Sequence, residues 1–399
     1  MRSDNIAPLK GTGEAKRDLD KIRGGLFGGA VGDAIGYAIE FLNEEQISDI
    51  YGSNGITEYK LDKISGKALI SDDTQMSLFT ACGILVGDIR GCMRGIQGDP
   101  HSYVNLAYSD WLKTQMFSYD EVNEQENFAE QERLSWLLDV PELYDRRAPG
   151  NSCISALKSP RKRNIENPIN NSKGCGGIMR VAPLALMYGG REFHKDDISV
   201  LDREGAEIAA ITHGHSLGYM PAAVLTHILC RIIDSYPQMS LKEIVLEARD
   251  KTAQIFLGDE HIDELVAIIN KAVECSENSK SDIDNIHYLG EGWVAEETLA
   301  IAIYCSLRYN DDFSKAIMVS VNHKGDSDST GAVTGNIVGL ISGYNAIEDK
   351  LKKNLELSDV ILEIADDLFY ACPMNGYGGH YDAAWESKYM HKHRYNPNA

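Results

Sequence analysis

Two short clusters of carboxylate and hydroxyl side chains stand out as residues that could do chemistry. The first is Ser71-Asp72-Asp73-Thr74, and the second is Asp326-Ser327-Asp328-Ser329-Thr330. Each cluster supplies several hard oxygen atoms from one short loop, without histidine or thiolate, and such ligands favour Mg²⁺, Mn²⁺ or Ca²⁺ over zinc. Aspartate and serine are also ordinary N-capping residues, so either cluster taken alone is better explained as a helix start.

The presence of two such clusters strengthens the metal hypothesis. Carboxylates from both loops would repel one another strongly in a shared site, unless cations lie among them or some are protonated. Two divalent ions, about 3.5–4 Å apart in well-known dinuclear sites, would balance the negative charge. Together the clusters predict the two halves of one metal site.

A glycine-rich loop, Gly174-Cys175-Gly176-Gly177, precedes the apolar stretch IMRVAPLALMY. Unpaired backbone N–H groups in such a loop can hold a phosphate. The loop has neither GxGxxG nor GxxxxGK[ST] spacing, so a plain tight turn explains it equally well. His213, between two predicted helices, would more often make a structural hydrogen bond than contact a ligand.

The C-terminal region is rich in aromatic residues. Tyr377, Tyr381 and Trp385 could stack on a planar ligand, or they could simply pack the C-terminus onto the rest of the chain.

The elements that must position these residues are helices. Apolar residues recur at helical spacing through most of the chain, and strand-like alternation is almost absent, so the predicted fold class is all-α. One helix should carry Ile22, Leu26, Ala30 and Val31 at helical spacing and end near Gly32-Asp33, and another is expected around Gln131–Leu138. A buried helix should follow Thr74. Further helices are predicted at 103–117, 203–213, 217–234, 241–257, 260–275, 294–308, 312–321 and 331–345.

Glycines recur at every fourth position after the second cluster, at Gly331, Gly335, Gly339 and Gly343. One face of that helix is therefore bare enough for close approach of a neighbour. We expect the neighbour to be the buried helix after Thr74, an arrangement that would bring both clusters to the same end.

Charge and composition limit the class of protein. The chain has 399 residues, and 39 basic against 60 acidic residues give a net charge of −21. This balance disfavours binding to nucleic acid or to an anionic membrane surface, although it allows a basic protein partner. The N-terminus has no apolar signal region, and no segment is expected to span a bilayer.

Eight cysteines occur without any CxxC pair. Buried free thiols in a reducing compartment explain them better than disulfides or zinc, so a cytoplasmic location is expected. Residues 1–17 are polar and predict a loose arm. Residues 18–399 are expected to form one domain, with surface insertions near 118–150 and 235–290.

Six segments in fixed order resemble the ADP-ribosylglycohydrolases of the dinitrogenase-reductase-activating type. They lie between residue 32 and about residue 340 and therefore span most of the chain. The segments are GDAIGYAIEF, SDDTQM, NSKGCGGIMRVAPLAL, THGHSLGY, GEGWVAEETLAIA and GDSDSTGAVTGNIVG.

The resemblance implies a compact, single-domain orthogonal helical bundle with two Mg²⁺ ions, for which Mn²⁺ could substitute, at the bottom of a cleft. It implies removal of ADP-ribose from a modified protein side chain, most often arginine. The metal ligands that it implies are Ser71, Asp72, Asp73, Asp326, Asp328 and Ser329, with Thr330 as the nearby alternative.

The resemblance also assigns residues around the substrate. It places Glu40 beside the metals and the scissile ribose, the Gly174–Gly177 loop at the phosphates, and His213 at the ligand. Cys175 replaces the commoner asparagine, and we expect phosphate binding by the backbone to survive this change. Either Glu40 or a metal-site aspartate, such as Asp73 or Asp326, would accept the proton of the attacking water.

The sequence is also compatible with three other functions. The metal clusters alone do not distinguish arginine from serine linkages or from O-acetyl-ADP-ribose. A binding protein without catalysis is another reading, although retention of every carboxylate argues against it. A third is an antidote that also binds and blocks a cognate ADP-ribosyltransferase.

Overall fold

A computed structural model of the chain describes residues 17–95, 98–123, 133–161, 163–191, 198–374, 376 and 380–390. Eighteen α-helices form within these residues. The first nine are α1 (Leu19–Gly36), α2 (Glu44–Tyr51), α3 (Asp72–Arg94), α4 (Pro100–Met116), α5 (Tyr119–Asn123), α6 (Asn151–Lys158), α7 (Ala182–Tyr188), α8 (Ser199–Ala210) and α9 (Ser216–Ser235). The others are α10 (Leu241–Ile255), α11 (Ile262–Glu277), α12 (Asp282–Leu289), α13 (Ala295–Arg308), α14 (Phe313–Val321), α15 (Ser327–Ser342), α16 (Asp349–Asn354), α17 (Ser358–Tyr370) and α18 (Ala383–Tyr389).

The all-α prediction is confirmed. The described ranges contain isolated β-bridges, such as that between Gly174 and Val294, but no strand. Several predicted helix boundaries differ from the observed ones by a few residues; the helix predicted at 331–345, for example, spans Ser327–Ser342. Helix α1 continues to Gly36, past the predicted end near Gly32-Asp33. A helix over Gln131–Leu138 does not form in the described part of that range, where the chain makes a 3₁₀ turn at Trp136–Asp139.

Helices α1 and α15 pack with their backbones in contact. A Cβ atom on Gly28 would lie 2.6 Å from the carbonyl oxygen of Gly335, and one on Gly331 would lie 2.5 Å from that of Gly32. The pairing runs antiparallel, because Gly24 faces Gly339 while Gly36 faces Ser327. The prediction that α3 packs against the glycine face of α15 was therefore wrong. Helix α1 carries its own glycines at four-residue spacing, and two bare faces approach more closely than one bare and one bulky face.

Helix α3 begins and ends as its sequence dictates. The Ser71 side chain caps the helix by accepting from the Asp73 N–H, and Gly95 ends it in the left-handed conformation. Helices α3 and α9 are long and apolar enough to span a bilayer by length and composition, contrary to expectation. In the most apolar 18-residue stretches of these two helices, 72% and 94% of the residues, respectively, are buried inside the protein.

The first described residue, Arg17, is fixed to the core. Residues 1–16 of the predicted arm lie outside the described residues, but Arg17 is anchored, donating hydrogen bonds to the carbonyl oxygens of Gly189 and Leu186. Of the predicted insertions, the described parts bury apolar side chains such as Leu137 in the first and Ile244 in the second. These regions therefore contribute to the core as well as to the surface.

Candidate functional site

Both carboxylate clusters lie at helix starts. Asp72 and Asp73 occupy the first turn of α3, and Asp326 caps α15 by accepting from the Ser329 N–H at 3.3 Å. The capping interpretation of each cluster is therefore correct. It is compatible with ion binding, because carboxylates at a helix N-terminus lie in its favourable dipole and still expose other oxygen atoms.

The fold brings the two clusters together. Ser329 Oγ donates a hydrogen bond of 2.9 Å to Asp73 Oδ2, which joins the start of α15 to the start of α3. Asp326 accepts a hydrogen bond from the Cys175 thiol, with 2.7 Å between Sγ and Oδ2. The four carboxylates of Asp72, Asp73, Asp326 and Asp328 are all buried.

Glu40 completes this carboxylate group from a third direction. It lies in the turn after α1, and its Oε2 atom is buried with no hydrogen-bond partner in the described part of the chain. Burial, followed by repulsion from Asp326 and Asp72, raises the pKa of Glu40 to about 9. The antiparallel packing of α1 on α15 accounts for this position, because it places the end of α1 beside the start of α15.

The electrostatics of the group are unfavourable without a counter-charge. Burial raises the pKa of Asp72 to about 8, and repulsion from Asp33 and Asp326 adds to this shift. Burial and neighbouring carboxylates also raise the pKa values of Asp73 and Asp328. Cations within the group would oppose these shifts, because an opposite charge favours the ionised form of a carboxyl.

The donor chemistry fits hard divalent cations. Most of the candidate donors are carboxylate or hydroxyl oxygens, and Glu40 Oε2 lacks a protein partner among the described residues. Within the same residues, no three His, Cys, Asp or Glu side chains stand as a ready-made ion-binding group. Hydrogen bonds from Ser329 and Cys175 engage Asp73 and Asp326 instead, and these bonds would have to rearrange around an ion.

Asp33 is a supporting residue that sequence reasoning missed. Its buried carboxylate accepts hydrogen bonds from the Ser71 and Thr74 N–H groups at 3.0 and 3.1 Å, and from the Thr74 hydroxyl. Asp33 therefore fixes the start of α3 from α1. A signal was present in the sequence, because Asp33 is the one acidic residue within the apolar and glycine-rich segment from Gly24 to Ile39.

The glycine loop lies beside this group, but it offers fewer backbone donors than predicted. The Cys175 N–H donates to the Trp293 carbonyl oxygen at 3.2 Å, and the Gly174 N–H approaches Ser172 Oγ at 3.4 Å. The Cys175 N–H is therefore already paired in this arrangement, and phosphate binding by the loop stays a prediction. Pairing with the segment before α13, which the sequence does not show, uses that donor.

His213 does lie against the glycine loop. A Cβ atom on Gly176 would be 2.9 Å from its Cε1 atom, so glycine is required there for the ring to pack. Its Nδ1 atom is 2.8 Å from the Thr212 hydroxyl, a structural hydrogen bond. Burial, with a smaller effect of Arg180, lowers the pKa of His213 to about 3, so the ring is neutral.

The aromatic residues near the C-terminus were predicted either to stack on a ligand or to pack onto the rest of the chain. Trp385 is only 4% exposed and packs near Tyr389, with 5.0 Å between ring centroids, so it is unavailable for stacking on a ligand. Tyr381 is exposed and hydrogen-bonds Glu386. Tyr377 lies outside the described residues.

Comparison with known proteins gives a consistent family assignment. The ADP-ribosylglycohydrolase family model matches residues 14–377. The human protein ADP-ribosylhydrolase ARH3 is 25% identical over 232 residues, which are 50% of this chain and 60% of that protein. ADP-ribosylarginine hydrolase Tri1 of Serratia proteamaculans is 32% identical over 108 residues, or 27% of each chain.

A solved structure of an ADP-ribosylglycohydrolase-related protein complex has the same fold. It superposes with a TM-score of 0.57 at 22% identity, covering 88% of this chain and 98% of that one. The matched segment spans less than two thirds of the human relative's length, so the curated relatives leave part of their own sequence unmatched.

Proposed function

The chain belongs to the ADP-ribosylglycohydrolase family, and from this premise we propose that it hydrolyses ADP-ribosyl linkages on modified protein side chains, most readily those of arginine. The observation that carries the proposal is the convergence of Glu40 with the buried carboxylates at the starts of α3 and α15. The ADP-ribosylated protein is the substrate, and ADP-ribose is a product. The arginine linkage draws support from the Serratia relative, whose name states that linkage.

Two Mg²⁺ ions, replaceable by Mn²⁺, are proposed as the cofactor. The chain's own residues that would hold them are Ser71, Asp72, Asp73, Asp326, Asp328 and Ser329, with Thr330 as an alternative. Bound ions would supply positive charge that orients ribose hydroxyls and makes a water molecule more acidic. The Thr330 hydroxyl faces the carbonyl oxygens of Ser320 and Asp326, whereas Ser329 Oγ lies 2.9 Å from Asp73 Oδ2 within the carboxylate group, which favours Ser329.

The protein's residues then act on a bond at the distal ribose C1 atom. Cleavage builds positive oxocarbenium character, and the surrounding carboxylates stabilise that charge. Glu40 is the proposed proton-transfer residue, because its Oε2 atom is free of hydrogen bonds among the described residues and can meet a water or a leaving nitrogen. Asp73 and Asp326 are the other candidates, and both already accept hydrogen bonds.

The deciding experiment compares release of ADP-ribose from arginine-linked and serine-linked peptides in the presence of Mg²⁺. We expect release from the arginine linkage, its loss in EDTA, and its recovery when Mg²⁺ or Mn²⁺ is added back. Release from serine alone would overturn the arginine proposal. Full activity in EDTA, after removal of bound metal has been verified by elemental analysis, would overturn the metal proposal.

A further inference from the structure

A cavity of about 490 Å³ lies against the segment that joins α12 to α13. Its wall is formed by the segment before α13 together with parts of α2 and α12. The side chains that define its chemistry are Glu44, His287, Glu291, Trp293, Glu297 and Lys324. None of these residues has a role in the hydrolysis proposed above.

Backbone hydrogen bonds connect this cavity directly to the catalytic group. The Asp326 N–H donates to the Glu291 carbonyl oxygen at 2.8 Å, and the Trp293 carbonyl oxygen accepts from Cys175 at 3.2 Å. One short segment therefore lines the cavity with its side chains and supports the carboxylate cluster with its backbone. A group leaving the ribose has this cavity as a neighbouring space.

Trp293, in the cavity wall, belongs to an exposed aromatic pair with Phe41. Phe41 is 70% exposed and Trp293 is 41% exposed, yet their rings stack with 6.3 Å between centroids and 24° between planes. Phe41 directly follows Glu40 in the sequence, so this pair also borders the proton-transfer residue. Exposed apolar side chains that contact one another are typical of a surface that binds a ligand or another protein.

The charge of the cavity favours a cation. Lys324 pairs with Glu291 at 2.7 Å, and His287 contacts Glu44 at the same distance. The Glu297 carboxylate accepts only backbone N–H groups, those of Glu291 and Gly292, among the hydrogen bonds described for it. Three carboxylates thus face one ammonium group and one imidazole. A phosphate would be repelled, whereas a planar cation could lie against the outer face of the aromatic pair and against an acidic wall.

We propose that this cavity receives the guanidinium group and adjoining backbone of the ADP-ribosylated arginine, with Phe41 and Trp293 as the aromatic contacts. This inference rests on the proposed function, because it names where the leaving side chain of that reaction is held. Guanidinium is planar, permanently charged and weakly hydrated, and it stacks readily on aromatic faces. Phe41 and Trp293 are therefore specificity residues for the arginine linkage.

The test is steady-state release of ADP-ribose from ADP-ribosyl-arginine by the full chain with Mg²⁺. Trp293→Leu should raise KM by about tenfold, the range expected for loss of a cation–aromatic contact. Trp293→Phe, which keeps a ring, should recover most of this loss. Affinity for free ADP-ribose, measured by calorimetry, should stay within about twofold of wild type, because the proposed contact is to the leaving side chain.

Tyr370→Leu is the matched control. Tyr370 is another exposed aromatic residue in a ring pair, with Phe369, and it lies on α17 near Arg23 at the opposite end of α1 from Glu40. Its KM should be unchanged. An unchanged KM in Trp293→Leu, with normal wild-type release, would overturn this inference alone. An equal loss of ADP-ribose affinity would assign Trp293 to the ADP-ribose itself and overturn it too. Absence of release by the wild type would overturn the proposed function and this inference with it.

Discussion

The carboxylates of Asp72, Asp73, Asp326 and Asp328 are buried within one group, and burial raises the pKa of three of them. Such an arrangement reduces stability in the absence of counter-charge, since buried ions are costly unless paired. Stability alone does not account for side chains of this kind at two helix starts, where a single capping oxygen at each would suffice. Their positions are consistent with selection for ligand binding.

Asp326→Asn tests this group at the level of one residue. Asparagine keeps the volume and the capping oxygen, so the fold should persist while one negative charge is lost. We expect release of ADP-ribose to fall by about 10² or more, in line with loss of a group in metal or acid–base catalysis. Asp349→Asn, at a side chain that is 81% exposed, is the control and should retain full activity. Wild-type rates in Asp326→Asn would remove it from the site.

Asp33→Ala tests the residue that supports α3. The substitution leaves the N–H groups of Ser71 and Thr74 without their buried acceptor. The free energy of unfolding should therefore fall by about 2–4 kcal/mol. Thr74→Val, which removes one hydroxyl donor at nearly constant volume, should lower the free energy of unfolding by roughly 1 kcal/mol. Urea denaturation monitored by circular dichroism measures both, and equal losses in the two variants would contradict the proposed support.

At the scale of elements, the pairing of α1 with α15 decides where the chemistry is. Their glycine faces allow backbone contact, and the antiparallel direction sets the turn that carries Glu40 beside the cap of α15. Asp33, on the same α1, holds the start of α3. Helix α1 therefore positions both carboxylate clusters, although it contributes no predicted metal ligand itself.

Gly28→Ala tests this helix pair. The new Cβ would meet the Gly335 carbonyl oxygen, a backbone atom that cannot rotate away, so destabilisation of about 1–3 kcal/mol is expected. Gly25→Ala is the matched control on the same helix, because its nearest contacts are atoms of the Leu186 and Leu340 side chains, which can adjust. Both variants gain the same helix propensity, so the difference between their urea midpoints reports the packing. A smaller decrease of the urea midpoint for Gly28→Ala than for Gly25→Ala would contradict the close backbone contact.

At the scale of the whole molecule, the net charge of −21 and the N-terminal segment bear on protein partners. The antidote hypothesis, in which the chain also binds a cognate ADP-ribosyltransferase, is a proposal that needs a surface separate from the carboxylate group. Residues 1–16 remain the proposed candidate. Arg17 is different, because its guanidinium donates to the carbonyl oxygens of Leu186 and Leu368 and so ties the start of α1 to α7 and α17.

Deletion of residues 1–16 should therefore leave ADP-ribose release and thermal stability unchanged. Arg17→Ala within that shortened chain should lower the melting temperature by several degrees, because buried carbonyl groups lose their donor. If the antidote hypothesis is correct, the deletion also weakens capture of the transferase in a pull-down. Equal capture by both forms would exclude a role of these residues in binding.

Local patterns in the sequence were enough to predict the helical class, the helix caps at Ser71 and Asp326, and the carboxylate and hydroxyl side chains beside them. These features depend on local periodicity and on side chains within a few residues of one another, so they can be inferred without a partner. The six ordered segments also pointed correctly to the family, which the match over residues 14–377 confirms. The individual roles of the site residues remain predictions.

Which helix surfaces meet depends on contacts between residues that are far apart in the sequence. The glycines of α15 could accept any close neighbour, and α1 rather than α3 occupies that face because its own glycines complement it. The same long-range packing uses the Cys175 N–H for Trp293, brings Asp33 under the start of α3, and stacks Phe41 on Trp293. Residues this distant in sequence are joined by the packing of whole helices, and no local pattern specifies that outcome.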